Sequence, residues 1–389
     1  MDVFICAGCG ARLTCPVERV ALPVEIRYRG GHHWMPPLMA PGTYAVDPEP
    51  SGLPWRSWED AGEAGAAAAG VHAPVWTLSL GARNRIVLSP GDTRGTRLLP
   101  ERSGDSCLGV VGGDAPNLVC AACGLGVGSR EDDCGVWNTV RYEPHAVVRH
   151  PLGRPAPPPE PVRPTPPLDP DGGWNVRWQA AAGTALAHLL AASGGTAPDL
   201  PEGPLTAFLG RDLARLLPPG PPALRVALAG PGLPAGDADL VLVPLHPRTG
   251  RPWSPPGGAV PVGLPADVWA HLGRFFRIRP GSRALARTLA ALSSVDMAPP
   301  CLPPPPCERT HQTPLPDLAR SERNALALPP ETSPMPVSGR PPAGVLRDDY
   351  PLPDRPLQRF HPDRGTLRHV LARLPEVREP WLRALYDRL

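Results

Sequence analysis

The residues best suited to do chemistry in this chain are cysteines in two matching CxxCG motifs. Cys6 and Cys9 lie in FICAGCGARL, and Cys120 and Cys123 lie in LVCAACGLGV. Two residues between thiolates let a tight turn aim both sulfurs at one ion, and the Gly that follows can adopt a positive φ and leave its amide to donate to sulfur. Together the motifs predict a closed, tetrahedral, structural Zn²⁺ site.

A redox-active dithiol, or a set of unrelated thiols, is the alternative to zinc. A redox CxxC normally opens a helix within a βαβ pattern, whereas both motifs here follow strand-like apolar dipeptides. We therefore favour zinc. The ion would connect segments more than a hundred residues apart, so metal binding would also stabilise the fold, by about 10 kcal/mol for structural sites.

The other five cysteines show no ligand spacing. Cys107, in RSGDSC, is the best candidate for a nucleophile, because Cys134 follows three acidic residues that would raise the pKa of its thiol. Cys15 has no motif, and Cys301 and Cys307 flank four prolines and are interpreted as free thiols. An inert small side chain is the alternative for each.

Opposite charges beside glycines mark a candidate polar ligand site in segments 92–117 and 130–137. Arginines there could make bidentate contacts to a carboxylate or phosphate. The candidate residues are Asp92, Arg94, Glu101, Arg102, Arg130, Asp132 and Trp137. Turn-forming Asp and Asn residues with surface ion pairs are the alternative.

Composition excludes a single compact domain and several enzyme classes. The 389 residues include 60 Pro and 41 Gly, and proline cannot run through helices or central strands. The sequence contains no lysine, which excludes a P-loop, a Schiff-base lysine and a kinase lysine. The net charge of +2 is nearly balanced, and residues 1–150 hold more acidic than basic residues, which disfavours binding to a phosphate backbone.

We predict a multidomain protein with a mostly-β zinc-binding domain and a small α/β domain. The predicted units are a β zinc-knuckle domain at 1–150, a Pro-rich linker at 151–172, a small α/β domain at 173–297, a disordered Pro-rich tether at 298–356 and an amphipathic helical tail at 357–389. In the first unit, alternation predicts strands near 24–28, 76–80 and 137–142, whereas 36–70 and 89–117 read as loops.

Periodicity also predicts the elements of the later units. Helices are expected at 174–193, 205–217, 266–274 and 283–292, and buried strands at 224–229 and 240–245. The tail carries two short apolar stripes, at 367–374 and 381–389. It either docks back on the body or binds a partner.

The two CxxCG motifs at opposite ends of a roughly 130-residue, Trp-containing β region resemble the β-tent zinc fold. That fold is shared by Yippee-like proteins, Mis18, the cereblon ligand domain and B-type methionine sulfoxide reductases. The segment from Gly91 to Trp137 also resembles an uncharacterised zinc-knuckle family of high-GC bacteria. The resemblance covers residues 1–150 and implies bound zinc. The reductases imply a separate attacking Cys, and cereblon implies an aromatic cage. The tryptophans that could include such a cage are Trp34, Trp55, Trp58, Trp76 and Trp137, but no motif assigns cage positions among them, and core packing is the alternative for most.

The expected function is that of a cytoplasmic, zinc-stabilised binding or adaptor protein, which contacts a protein partner through its tail or Pro-rich segments and could also bind a small ligand. The alternatives are a thiol-dependent redox enzyme using Cys107 and a nucleic-acid-associated zinc ribbon. The opening residues lack a secretory signal, and no apolar stretch reaches the roughly 20 residues of a membrane span.

Overall fold

The computed structural model describes residues 1–24, 35–153, 162–275 and 360–389, apart from short gaps at 105, 108, 114, 135, 170–172, 202–204 and 222. The predicted helix at 283–292, the tether at 298–356 and most of the predicted strand at 24–28 lie outside these residues. So do Cys301, Cys307 and much of the 151–172 linker.

The described residues up to position 151 form a β-rich region with one α-helix. Its strands are β1 (Asp2–Cys6), β2 (Glu18–Arg19), β3 (Thr43–Asp47), β4 (Trp55–Ser57), β5 (Thr77–Ser79), β6 (Arg85–Leu88), β7 (Thr96–Leu98), β8 (Leu118–Cys120), β9 (Gly126–Glu131), β10 (Thr139–Tyr142) and β11 (Val147–Pro151). Seven of them form a sheet in the order β2-β3-β6-β10-β9-β8-β7, while β1 pairs with β11 and β4 with β5. The predicted strands near 76–80 and 137–142 are confirmed as β5 and β10.

Mostly antiparallel pairing and a shared apolar cluster hold the β-rich region together, and only β2 and β3 of its described strands pair parallel. The β1–β11 register pairs Cys6 with Val147, so the first cysteine motif begins where this two-stranded sheet ends. Phe4 packs edge-on against Tyr44 with ring centroids 4.9 Å apart. The buried hydroxyl of Tyr142 donates to the carbonyl of Leu13 over 2.9 Å, which satisfies a polar group inside the core.

The prediction that residues 36–70 form a loop is wrong. This stretch contains β3, β4 and the helix α1 (Trp58–Ala68). Ser57 caps α1, since its side chain accepts from the amide of Asp60 over 3.0 Å, and small residues then form the helix. The Ala- and Gly-rich composition had suggested a flexible insertion, but Ala is the best helix former.

Residues 162–275 contain helices and a parallel sheet. Their elements are α2 (Val176–Ser193), β12 (Pro198–Asp199), α3 (Arg211–Leu216), β13 (Leu224–Leu228), β14 (Leu240–Pro244), β15 (Val260–Leu264) and α4 (Ala266–Phe275). The sheet order is β12-β13-β14-β15, with parallel pairing throughout. Helix α2 starts at the side-chain cap of Asn175 and ends at Gly194, whose φ is +56°, as the sequence predicts.

The tail folds back on the body. It forms α5 (Arg364–Arg373) and α6 (Pro380–Tyr386), and the buried Leu367, Leu371 and Leu385 join the same apolar cluster as α2. Asp363 caps α5 by accepting from the amide of Thr366 over 2.6 Å. Of the two predicted roles for the apolar stripes, the structure therefore shows docking on the body.

One apolar cluster unites residues from three predicted units. It contains Ala66 and Leu78 from the β-rich region, α2 and the parallel sheet, and the tail leucines. The predicted domain boundaries remain predictions, but the packing crosses them. Among the described residues there is no helix with the length and apolar character that a membrane span requires.

Candidate metal centre, thiol pair and groove

The four cysteines of the CxxCG motifs converge. Their sulfurs all lie within 4.8 Å of one another, with Cys6 Sγ 3.6 Å from Cys123 Sγ and Cys9 Sγ 3.6 Å from Cys120 Sγ. A tetrahedral site with Zn–S bonds of about 2.3 Å has S···S edges of about 3.8 Å. A disulfide would need about 2.05 Å, so the geometry fits four thiolates around one ion.

The two turns repeat the same backbone hydrogen bonds. The amide of Cys6 donates to Ala11 over 2.8 Å and that of Gly10 to Cys6 over 2.9 Å, while Cys120 donates to Leu125 over 2.8 Å and Gly124 to Cys120 over 2.9 Å. Gly10 and Gly124 have φ values of +72° and +78°, which favour glycine as predicted.

The prediction that these glycine amides donate to sulfur is wrong, since both donate to carbonyls. The amides that reach sulfur come from the neighbouring positions. Cys6 Sγ accepts from Gly8 and Cys9, and Cys120 Sγ accepts from Cys123 and Ala122. Burial raises the pKa of the Cys120 thiol, but these amides and the adjacent thiols bring it down to about 7.

The donor set and its surroundings fit a metal ion. Cys6 and Cys120 are buried at the ends of β1 and β8, whereas Cys9 and Cys123 are exposed. Four sulfur ligands complete a tetrahedron and leave no open position for substrate, which is the arrangement of a structural site. Among the described residues, these four are the only group of at least three Cys, His, Asp or Glu side chains placed to hold one ion.

The other described cysteines divide into a buried one and a neighbouring pair. Cys15 is only 1% exposed. Cys107 is exposed and Cys134 is half-buried, and their thiols are within hydrogen-bonding contact. Burial, this thiol contact and Asp133 raise the pKa of Cys134. The expected direction is therefore confirmed, with burial as the leading cause.

None of the predicted polar ligand residues lines the groove described below or the smaller cavity beside Leu22, and a ligand site at these residues stays a prediction. The carboxylate of buried Asp92 accepts from the amide of Gly42 over 2.8 Å, and the guanidinium of Arg94 donates to the carbonyl of Thr93 over 3.3 Å. Arg130 pairs with Asp132 at 2.6 Å.

Of the remaining three candidates, two share a turn and the third is buried. Glu101 and Arg102 share a 3₁₀ turn, Pro100–Arg102. Trp137 is only 4% exposed, and Arg177 lies over its ring at 5.4 Å.

An open groove of about 950 Å³ lies elsewhere, where the antiparallel β4–β5 pair faces α5. Trp55 and Trp76 line it and are 54% and 92% exposed. The sequence includes Trp55 and Trp76 among possible cage residues but does not predict this groove, because Trp76, Leu78 and Leu80 alternate as one apolar face, which predicts a buried strand. Of these three, only Leu78 is buried.

The charged side chains of the groove largely neutralise one another. Glu49 accepts from His369 and from Arg373, each over 2.9 Å, and Arg141 pairs with Asp47 at 2.8 Å. The guanidinium of Arg368 lies 4.8 Å from the ring centroid of Tyr386. The groove therefore offers two open indole surfaces within a wall of paired charges.

Comparison with known proteins gives no relative from which a role could be transferred. No family model matches the chain, and neither a curated protein nor a solved structure matches it.

Proposed function

We propose that this chain is a zinc-stabilised binding protein that takes a proline-rich peptide in the groove between the β4–β5 pair and α5. The observation that carries the proposal is the exposure of Trp76 and Trp55 in one groove, at 92% and 54%. An indole left in water at a concave surface is typical of a binding site.

Zinc is the metal we assign to the four thiolates. It takes four thiolates in tetrahedral geometry, and it has no redox chemistry of its own. The assignment gives the ion a structural role in a β-tent-like domain, in which it connects β1 to β8. The proposal keeps the protein in the cytoplasm, where thiolates stay reduced and available to a metal ion.

The ligand class follows from the groove wall. Because Glu49, Asp47 and Arg141 are already paired, the wall has little charge left for a strongly anionic or cationic ligand. Proline-rich segments are extended before they bind, and aromatic-lined grooves recognise them by packing rings against rings. A proline-rich peptide therefore suits two open indoles better than a charged metabolite does.

Calorimetric titration of the full chain with a synthetic polyproline peptide tests the proposal. A glycine-serine peptide of the same length serves as the ligand control. Trp76→Ala should weaken binding by more than about tenfold, because removal of an aromatic anchor costs about 2 kcal/mol.

The matched control variant is Val148→Ala, which removes an exposed apolar side chain from β11, outside the groove. It should leave the affinity unchanged. Absence of binding by the parent protein, or equal affinities for the parent and the Trp76→Ala protein, would contradict the proposal.

A further inference from the structure

Cys107 and Cys134 lie on two segments that are hydrogen-bonded side by side. Val110 and Asp132 form an antiparallel bridge in which the amide of Val110 donates over 3.0 Å and that of Asp132 over 2.7 Å. Behind them, the fully buried Asn117 accepts from the amide of Arg130 over 2.7 Å. The loop that carries Cys107 is thus held beside the end of β9.

The side chain of Asp133 fixes the position of Cys107. Its carboxylate accepts from the amide of Cys107 over 2.9 Å and from that of Gly109 over 3.1 Å. Only glycine fits at 109, because an added Cβ would lie 1.7 Å from the carbonyl oxygen of Asp132. The residue next to Cys134 in the chain therefore binds the backbone of Cys107.

The two thiols meet at the surface and are separate from the metal centre. Cys107 is exposed, Cys134 is half-buried, and neither is bonded to another sulfur. Their side chains are in hydrogen-bonding contact. Neither belongs to the four-cysteine cluster, so oxidation of this pair needs no metal ligand.

We propose that Cys107 and Cys134 form a reversible disulfide by exchange with a small-molecule disulfide. The exposed Cys107 loses its proton and attacks one sulfur of the small disulfide, which forms a mixed disulfide and releases one small thiolate. Cys134 then loses its proton and attacks Cys107 Sγ, which releases the second small thiolate. The protein pair gives up two electrons, and the small disulfide is reduced to two thiols.

The order of attack follows from the surroundings of each sulfur. Cys107 is open to solvent and meets the small disulfide first. Burial and the nearby Asp133 raise the pKa of Cys134, which suits a thiol that acts only after its neighbour has become a disulfide. The bond would fix the loop to the end of β9 without touching the four cysteines that fit the ion.

Mass spectrometry of the full-length, metal-loaded protein tests this proposal. The protein is equilibrated with mixtures of oxidised and reduced glutathione, the free thiols are alkylated, and the peptides are mapped. We expect a new peptide pair, absent before oxidation, that is linked through Cys107 and Cys134. Dithiothreitol should reverse the link, and the metal content should stay constant.

Single substitutions separate the two steps. Cys134→Ser should leave glutathione attached to Cys107, whereas Cys107→Ser should abolish the link and leave the metal content at that of the parent protein. The mapping of the parent protein does not depend on either variant. A Cys107 that stays unreacted, keeps its glutathione in the presence of Cys134, or links to any other cysteine would overturn the proposal.

Discussion

Single residues decide how the two cysteine turns are built. Gly10 and Gly124 adopt the left-handed conformation that closes each turn. The amide of Gly10 donates to the carbonyl of Cys6, and that of Gly124 donates to the carbonyl of Cys120. Gly8 permits close approach of the second turn, because an added Cβ would lie 3.3 Å from Leu125. The metal geometry thus depends on backbone freedom as well as on sulfur.

Replacing Cys6 and Cys120 by serine should remove one sulfur from each close S···S contact. We expect loss of stoichiometric zinc and loss of cooperative unfolding in the β-rich region, because structural zinc contributes on the order of 10 kcal/mol to folding. Metal analysis and chemical denaturation measure both effects. The control is Cys107→Ser, which should keep its zinc, and full zinc retention by the double variant would disprove the assignment.

The metal cluster could be predicted from sequence because a CxxC turn is local, and because the second turn copies the first. The groove could not be predicted from the sequence. Trp76 and Leu78 have the same apolar character and the same alternation, and only packing against the tail and α2 determines which of them is covered. The contact of Cys107 with Cys134 depends on pairing across a loop, and such pairing has no signal in local spacing.

At the scale of elements, the packing of α5 on α2 requires a residue without a side chain. Gly183 lies within α2, and a Cβ there would be 2.6 Å from the carbonyl oxygen of Asp363 and 3.2 Å from the amide nitrogen of Leu367. Glycine weakens a helix by about 1 kcal/mol relative to alanine. The close approach of the tail explains why the position still suits glycine.

Gly183→Ala should destabilise the protein by about 1–3 kcal/mol, since overpacking outweighs the gain in helix propensity. Chemical denaturation measures the change in the free energy of unfolding, and limited proteolysis reports release of the tail. The control is Gly65→Ala in α1, where the added Cβ meets only Ala61 at 3.8 Å. A stabilised Gly183→Ala protein would contradict this account of the packing.

Periodicity predicted α2, α4 and both tail helices because their apolar stripes are regular, and α2 and α5 also begin at capping residues. It failed over 36–70, where Pro, Ala and Gly obscure short strands and a helix. Strands such as β4 exist through pairing with a distant strand, and three residues of sequence carry no periodic signal.

For the molecule as a whole, partly buried histidines couple stability to pH. Burial lowers the pKa of His188 on α2 and of His271 on α4. The unfolded chain binds these protons near the ordinary histidine pKa of about 6.5, whereas the folded chain binds them only at lower pH. Their contribution to stability is therefore present above that value and is lost as the pH falls below it.

His188→Gln should make the free energy of unfolding fall less steeply between neutral pH and about pH 5. Denaturation of both proteins at each pH measures the difference, and acid release of metal affects both alike. His145→Gln is the control, since that side chain is exposed. Parallel pH profiles for the His188→Gln and parent proteins would contradict the role of His188.

Contacts between residues that are far apart in the sequence limit the order in which the chain can fold during synthesis. The amide of His72 binds the carbonyl of Ala372 over 2.6 Å, and the hydroxyl of Tyr386 binds that of Pro74 over 2.6 Å. Strand β1 likewise cannot pair until β11 has been synthesised. At ribosomal elongation rates the intervening residues take on the order of ten seconds to make. Strand β1 is thus synthesised well before the strand that covers it, and until β11 follows, the unpaired edge of β1 and the thiols of the first cysteine motif stay exposed.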